Sequence, residues 1–186
     1  MNPDGAIEML TREHRTILCV IQGLGRLAQF VREGRDVDVA QLREAVAFMR
    51  EFADRCHHAK EKDVLYPACI DYGVQLPGRP IAVLLGERQE SRRLSDQLAT
   101  SIKKYGADRA KARELAATTV DAIARLYLHH IRDEERLVFP WVKRILPIKT
   151  RERLYVQFME IDARNPPATH ERFQEFAQRL AAIPAG

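Results

Sequence analysis

The stretch Cys56–Pro67, "CHHAKEKDVLYP", returns at Leu128–Pro140 as "LHHIRDEERLVFP". Each copy has paired histidines, then mixed charge, then a hydrophobic-aromatic-proline ending. Aligned on the closing proline without a gap, His57 falls on His130, Glu61 on Glu134 and Tyr66 on Phe139. Residues four apart stack on one side of a helix. Each copy, read as helix, therefore sets one imidazole one turn before one carboxylate, in front of the same apolar stop.

The rest of the chain has the same helical period. Ile7, Leu10, Ile17, Leu18, Ile21, Leu24 and Val31 recur at spacings of three, four and seven, and Gly34 closes that segment. Val39 opens a second pattern through Leu42, Val46, Met49, Phe52, Ala53, Val64 and Leu65 to Pro67, fraying by Gly73. "YGVQLPGRP" reads as a loop. A third pattern starts near Pro80 and runs through Leu84, Leu85, Leu94, Leu98 and Ile102 to Gly106. A fourth runs from about Asp108 to Leu146, with a bend expected near Pro140. Two shorter segments follow, Glu152–Ile161 and Thr169–Leu180, with Thr169 expected as the N-cap. No period-two segment of strand length occurs.

Four long helices joined by short links predict an all-α fold, an antiparallel up-down-up-down four-helix bundle with a short C-terminal helical appendix. The expected organisation is a bundle over residues 1–148 and a helical extension over 149–186 packed on the same domain.

Composition narrows the class. The 186 residues suffice for one domain with a core, and 46% hydrophobic with 30% charged residues make the chain globular rather than disordered. No apolar run approaches the ~18 to 20 residues of a membrane span, and no secretory leader is visible at the start. Three cysteines, Cys19, Cys56 and Cys69, with no C-x-x-C spacing, read as reduced thiols, so a cytoplasmic location is expected. The net charge of +4 is spread along helices, with no basic arm and no basic-aromatic patch to favour nucleic acid.

Several polar residues fall on the buried stripes. His57 follows Met49 and Ala53, Glu61 sits one turn beyond, and Val64 and Leu65 continue the face. Ile123, Leu126 and Tyr127 lead in the same way to His130, Glu134, Leu137 and Val138. His14 lies between Leu10 and the run Ile17, Leu18, Ile21. Three imidazoles and two carboxylates thus enter the interior, where an unpaired carboxylate is expensive. A metal ion supplies the compensation. Imidazole with carboxylate suits iron, manganese, zinc and similar divalent ions, and two carboxylates from different helices can bridge two ions. His58 and His129, 100° from their neighbours, are expected beside the site or at the surface. His170 is expected to be structural and Cys56 a buried inert thiol. Tyr66 and Tyr127 read as packed aromatics with their hydroxyls satisfied, each also placed to meet a bridging oxygen.

Together these residues resemble the hemerythrin-like family of HHE cation-binding domains. "TREHRTIL" resembles its first-helix histidine, "CHHAKEKDVLYP" and "HHIRDEERLVFP" its second and fourth helices, and "VLLGERQESRRL" its third; "THERFQEFAQRL" in the tail also has the family's look. The resemblance implies a non-haem iron centre of one or two ions, in some forms oxo- or hydroxo-bridged. It places His14 and His57 on one iron, Glu61 and Glu134 as bridges, and His130 on the second iron beside a third-helix histidine. This chain has Arg88 there, and a guanidinium has no lone pair to donate.

Four outcomes are open at that position. Glu87 or, less well placed, Glu90 replaces the imidazole; Arg88 pairs with a bridging carboxylate and leaves a single metal; the second ion stays in a solvent-filled sphere; or Arg88 points out of the bundle. The resemblance implies a protein that binds or senses dioxygen, nitric oxide or iron. An iron oxidoreductase acting on peroxide, nitric oxide or oxygen is the alternative, and a helical interaction protein with a degenerate site is the third reading. The implied partners are a small diatomic ligand or peroxide; the sequence names no electron donor and no partner protein.

Overall fold

A computed structural model of the chain describes residues 2–73, 81–104 and 109–184. The described residues are helical throughout, with no strand. In chain order the elements are α1 (Gly5–Arg32), α2 (Val39–Phe48), the π-helical π1 (Met49–His58) and π2 (Glu61–Leu65), then α3 (Tyr66–Asp71), α4 (Ile81–Lys103) and α5 (Arg109–Asp133). A third π-helical segment, π3 (Glu134–Val138), leads into α6 (Phe139–Ile145), followed by α7 (Ile148–Ala163) and α8 (Thr169–Ala181). Most of the expected loop "YGVQLPGRP" and the junction at Gly106 and Asp108 lie outside the described residues.

The boundaries follow from local chemistry. Beyond α1, Gly34 takes φ +74°, and beyond α3, Gly73 takes φ +66°, left-handed turns that favour glycine. Asp38 caps α2, its carboxylate accepting the Ala40 N–H at 2.8 Å. Two tail expectations are corrected. α7 starts at Ile148, ahead of Glu152, because Pro147 precedes it with extended ψ and its carbonyl accepts the Thr150 and Arg151 N–H groups. Thr169 is not the N-cap: Ala168 holds that position, and Thr169 is buried inside α8.

The larger departure is the π-helical backbone at the repeated motif. π2 begins at Glu61 and π3 at Glu134, and each ends just before the aromatic-proline pair. Proline offers no N–H and its ring crowds the carbonyl four residues back. The turn ahead of it widens instead, and the Tyr66 and Phe139 N–H groups reach back five residues to the Glu61 and Glu134 carbonyls. The closing proline of each copy therefore anchors the backbone of the glutamate. Widened turns in π1 also allow the neighbours His57 and His58 to be buried together.

α1 packs on α5 and α8, and α4 packs on α5 and α2. The apolar side chains form two separate clusters. One includes Ile17, Leu24, Phe48, Ala53, Leu98, Ile123 and Tyr127; the other includes Leu10, Leu65, Leu84, Val138, Phe139 and Phe158. His14, His57 and His130 fall between the two clusters on their own helices, so a polar layer separates two hydrophobic blocks. The tail contributes to both blocks, through Phe173, Phe176 and Leu180 on one side and Leu154 and Phe158 on the other. Each such side chain contributes about 1.5–3 kcal/mol by leaving water. α8 approaches α1 so closely that a Cβ on Gly23 would stand 2.5 Å from that of Leu180, which accounts for a glycine inside α1.

Candidate metal centre

Three helices each deliver one imidazole to the polar layer in the same orientation. His14 on α1 turns its Nδ1 to the Glu135 carboxylate at 3.0 Å. His57 on π1 turns its Nδ1 to Glu13, and His130 on α5 to Glu87, both also at 3.0 Å. In all three the Nε2 faces inward, is buried and has no hydrogen-bond partner. A carboxylate behind one ring nitrogen fixes the tautomer and raises the basicity of the other.

The two predicted carboxylates lie opposite those nitrogens. Glu61 sets Oε1 2.9 Å from His57 Nε2 and 3.8 Å from His14 Nε2, while its Oε2 lies 3.9 Å from His130 Nε2. Glu134 sets Oε2 3.2 Å from His14 Nε2 and 3.6 Å from His130 Nε2. Its other oxygen accepts the Tyr66 hydroxyl. Glu61 Oε1 and Glu134 Oε2 are buried and make no hydrogen bond, although imidazole nitrogens stand nearby. Buried polar atoms are nearly always satisfied. Five that converge without pairing form a donor set aimed at a common centre, which is the fit expected of a cation site.

Electrostatics agree. Burial disfavours charge on the histidines, but the carboxylates outweigh it. His14 is held well above the ordinary histidine range by Glu134, Glu135 and Glu61. His57 is raised by Glu61 and Glu13, and His130 is raised to about 10 by Glu134, Glu61 and Glu87. Burial pushes the Glu61 carboxyl up, yet His57, His130 and His14 bring it well below the carboxylate range. Without a cation, protons on the imidazoles carry the positive charge the layer needs; a divalent ion would replace them.

Among the described residues, ligand atoms gather within 4.8 Å of one another in three groups: His14, His57, Glu61 and Glu134; His58, Glu61 and His130; and Glu13, Cys56, Asp162 and His170. The first two share Glu61. The third already has a cation of its own. Lys60, fully buried, pairs with Glu13 and with Asp162 at 2.5 Å, and its Nζ lies 3.3 Å from Cys56 Sγ.

The structure bears on several expectations around the centre. Glu87 stands behind the site, its carboxylate holding the outer nitrogen of His130, and is not placed among the converging atoms. Glu90 turns away to Arg93, Oε1 to Nη2 at 2.6 Å. Arg88 pairs with neither Glu61 nor Glu134 and does not leave the bundle; its Nε donates to Asp54 at 3.1 Å. Tyr127 is the packed aromatic expected, its hydroxyl satisfied by Ser91 at 2.7 Å, and the Tyr66 hydroxyl donates to Glu134. Of the two places expected for them, His58 takes the one beside the site, 2% exposed, and His129 the one at the surface, near Asp133. Cys56 is the buried thiol expected, held protonated by burial, and sits in the polar lysine network with His170 Nε2 at 3.3 Å. Sequence reasoning missed Glu13, Glu135 and Lys60. Glu13 and Glu135 flank a candidate ligand in sequence, but which neighbours fold behind an imidazole is set by the opposing helix.

The fold and the centre together define a class: an all-helical protein with a layer of inward-facing imidazoles and carboxylates able to take a cation. Residues 5–142, from the start of α1 into α6, match the sequence profile described as Hemerythrin HHE cation binding domain, and the chain belongs to that family. Neither a curated protein nor a solved structure matches it. No helix among the described residues is long and apolar enough to cross a membrane.

Proposed function

We propose that this protein is a non-haem iron protein that binds or senses dioxygen or nitric oxide through a di-iron His/carboxylate centre, carried in an antiparallel up-down-up-down four-helix bundle with its tail on the same domain. The observation that carries the reading is the set of five unpaired, buried ligand atoms on His14, His57, Glu61, His130 and Glu134. Iron held there supplies a redox centre for a diatomic ligand. The chain's own residues divide the remaining work. His14 and His57 offer lone pairs on one side and His130 on the other, and Glu61 presents one oxygen to each. Tyr66 holds the outer oxygen of Glu134 and so leaves the inner one facing both sides. Phe139 stacks on the His14 ring, centroids 5.4 Å apart, and closes that side to water.

The oxidoreductase reading draws on one feature. A narrow cleft between α4 and α5 is lined by His58, Glu87, Arg88, Ser91, Leu126, Tyr127 and His130. Arg88 Nη1 is buried there without a hydrogen-bond partner. A guanidinium N–H without a partner favours an anion or peroxide, although the cleft as it stands has no room for a water-sized molecule, so this reading also needs the cleft to widen. The degenerate-site reading puts protonated histidines in place of the ion, facing Glu61 and Glu134 at 2.9 to 3.6 Å, and predicts a protein that takes up no iron.

Metal analysis of the purified protein, with anomalous diffraction at the iron edge, tests the main proposal. The expected result is iron between His14, His57 and Glu61, lost in His14→Ala, together with a reversible spectral change on exposure to oxygen or nitric oxide. A protein that takes up no iron under anaerobic reconstitution overturns it. Sustained peroxide consumption abolished by His57→Ala favours the oxidoreductase reading.

A further inference from the structure

The second copy of the motif lacks the third-helix histidine that the family resemblance would supply, and the structure contains an imidazole that no expectation used. His58 is 2% exposed and lies in a group with Glu61 and His130 whose ligand atoms are within 4.8 Å of one another. Its Nδ1 is buried without a hydrogen-bond partner, the nearest carboxylate, Asp54, standing 3.9 Å away and engaged by Arg88 and Arg92. A buried polar atom left unpaired calls for an explanation.

The ring is also held in place. It stacks on Tyr127 at 5.8 Å with the planes 15° apart, and meets His130 edge-on at 5.5 Å. The Tyr127 hydroxyl is fixed in turn by Ser91. A side chain locked by its neighbours loses little freedom on taking up a ligand. The neighbours in sequence separate in space: His57 sits against His14, ring centroids 4.8 Å apart, and His58 against His130. The widened turns of π1 make this division possible, since both residues of an adjacent pair are buried.

We propose that His58 is a ligand of the second ion, so that the His130 half is built from His58, His130, Glu61 and Glu134, with the imidazole drawn from the second helical run in place of the third. Arg88 then marks a relocated ligand, not a lost one. Its guanidinium lies on Asp54 and touches neither Glu61 nor Glu134.

The proposal rests on the cation reading above, and one set of crystals separates the two. Wild-type, His58→Ala and His58→Ala/Arg88→His proteins are loaded with ferrous iron without oxygen, and with cobalt in parallel. Ions are located by anomalous diffraction and counted by elemental analysis. The wild type is expected to show two positions, one beside His14 and His57 and one beside His58 and His130. His58→Ala is expected to keep the first and lose the second, with loss of the matching cobalt absorption. The double variant is expected to regain the second, because a third-helix imidazole is restored. A wild type with one ion beside His14 and His57 overturns the His58 proposal alone; a wild type with none overturns the cation reading as well. Two ions retained in His58→Ala overturn the proposal. If His58→Ala loses both ions, recovery of the second in the double variant supports the proposal and absence of recovery overturns it.

Discussion

The two copies of the motif are alike in sequence and differ in surroundings. In the first, His57 is fully buried, and Glu13 behind it is 3% exposed. Glu13 gives one oxygen to His57 and the other to the buried Lys60, which is paired again with Asp162. In the second, His130 is backed by Glu87, which also borders a groove of about 460 Å³ between α4 and α5. The inner atoms match, since both copies present a histidine and a glutamate at a π turn. What lies behind them comes from the facing helices: for His57 a buried ion-pair network at the foot of a groove of about 280 Å³, for His130 a carboxylate 17% exposed on the wider groove. A repeated motif sets which atoms converge, and its neighbours set how deeply the carboxylate behind each imidazole is buried, 3% exposed for Glu13 and 17% for Glu87.

The most forceful way to break this comparison is to remove the cation of the sealed network. Lys60→Ala leaves Glu13 and Asp162 without their partner. Breaking a buried pair in this way costs about 3–5 kcal/mol. Urea unfolding should show that loss; a change under 1 kcal/mol would mean that the network does not seal the His57 half.

The carboxylates behind the imidazoles give the next largest contrast. Removing such a partner lowers metal affinity by roughly 10–100-fold. Glu13→Gln should fall near the upper end, because water cannot easily replace a buried carboxylate that also holds Lys60. Glu87→Gln should fall near the lower end, since solvent reaches its groove. Competitive chelator titrations of the two variants check the order, and equal losses would remove the asymmetry. Chelation of the doubly loaded wild type should be biphasic, the ion beside His130 leaving first. A single phase would show that the cleft does not govern exchange.

The smallest effect concerns pH. Burial raises the Asp162 carboxyl, but His170 and Lys60 outweigh it and hold the pKa at about 2, below its ordinary 3.8. A depressed carboxyl contributes stability above its unfolded pKa and loses it as pH falls through the folded value. Stability should therefore drop between about pH 4 and pH 2 by an amount on the order of 1–2 kcal/mol. Asp162→Asn should flatten that limb in acid denaturation monitored by circular dichroism, and an unchanged limb would detach Asp162 from the network.

Much of this architecture is written in local periods. The spacing of Leu10, Ile17 and Ile21 around His14, and of Ala53 and Leu65 around His57 and Glu61, places polar groups among apolar ones whatever the other helices do. The glycine stops at Gly34 and Gly73 are likewise local, because each requires only a left-handed turn. The π segments were not legible, although their trigger was. A helix can meet the missing donor of Pro67 or Pro140 by kinking, ending or widening, and the surrounding packing selects among these.

Helical period and side-chain chemistry are properties of neighbours along the chain, and they suffice for the helices and for the candidate set His14, His57, Glu61, His130 and Glu134. Packing in three dimensions settles what stands behind each imidazole, that Arg88 goes to Asp54, that Tyr66 rather than Tyr127 meets a central carboxylate, and that His58 lies inside. Those outcomes depend on contacts between residues 34 to 121 positions apart in the chain. No local pattern specifies such pairs; the packing of the helices does.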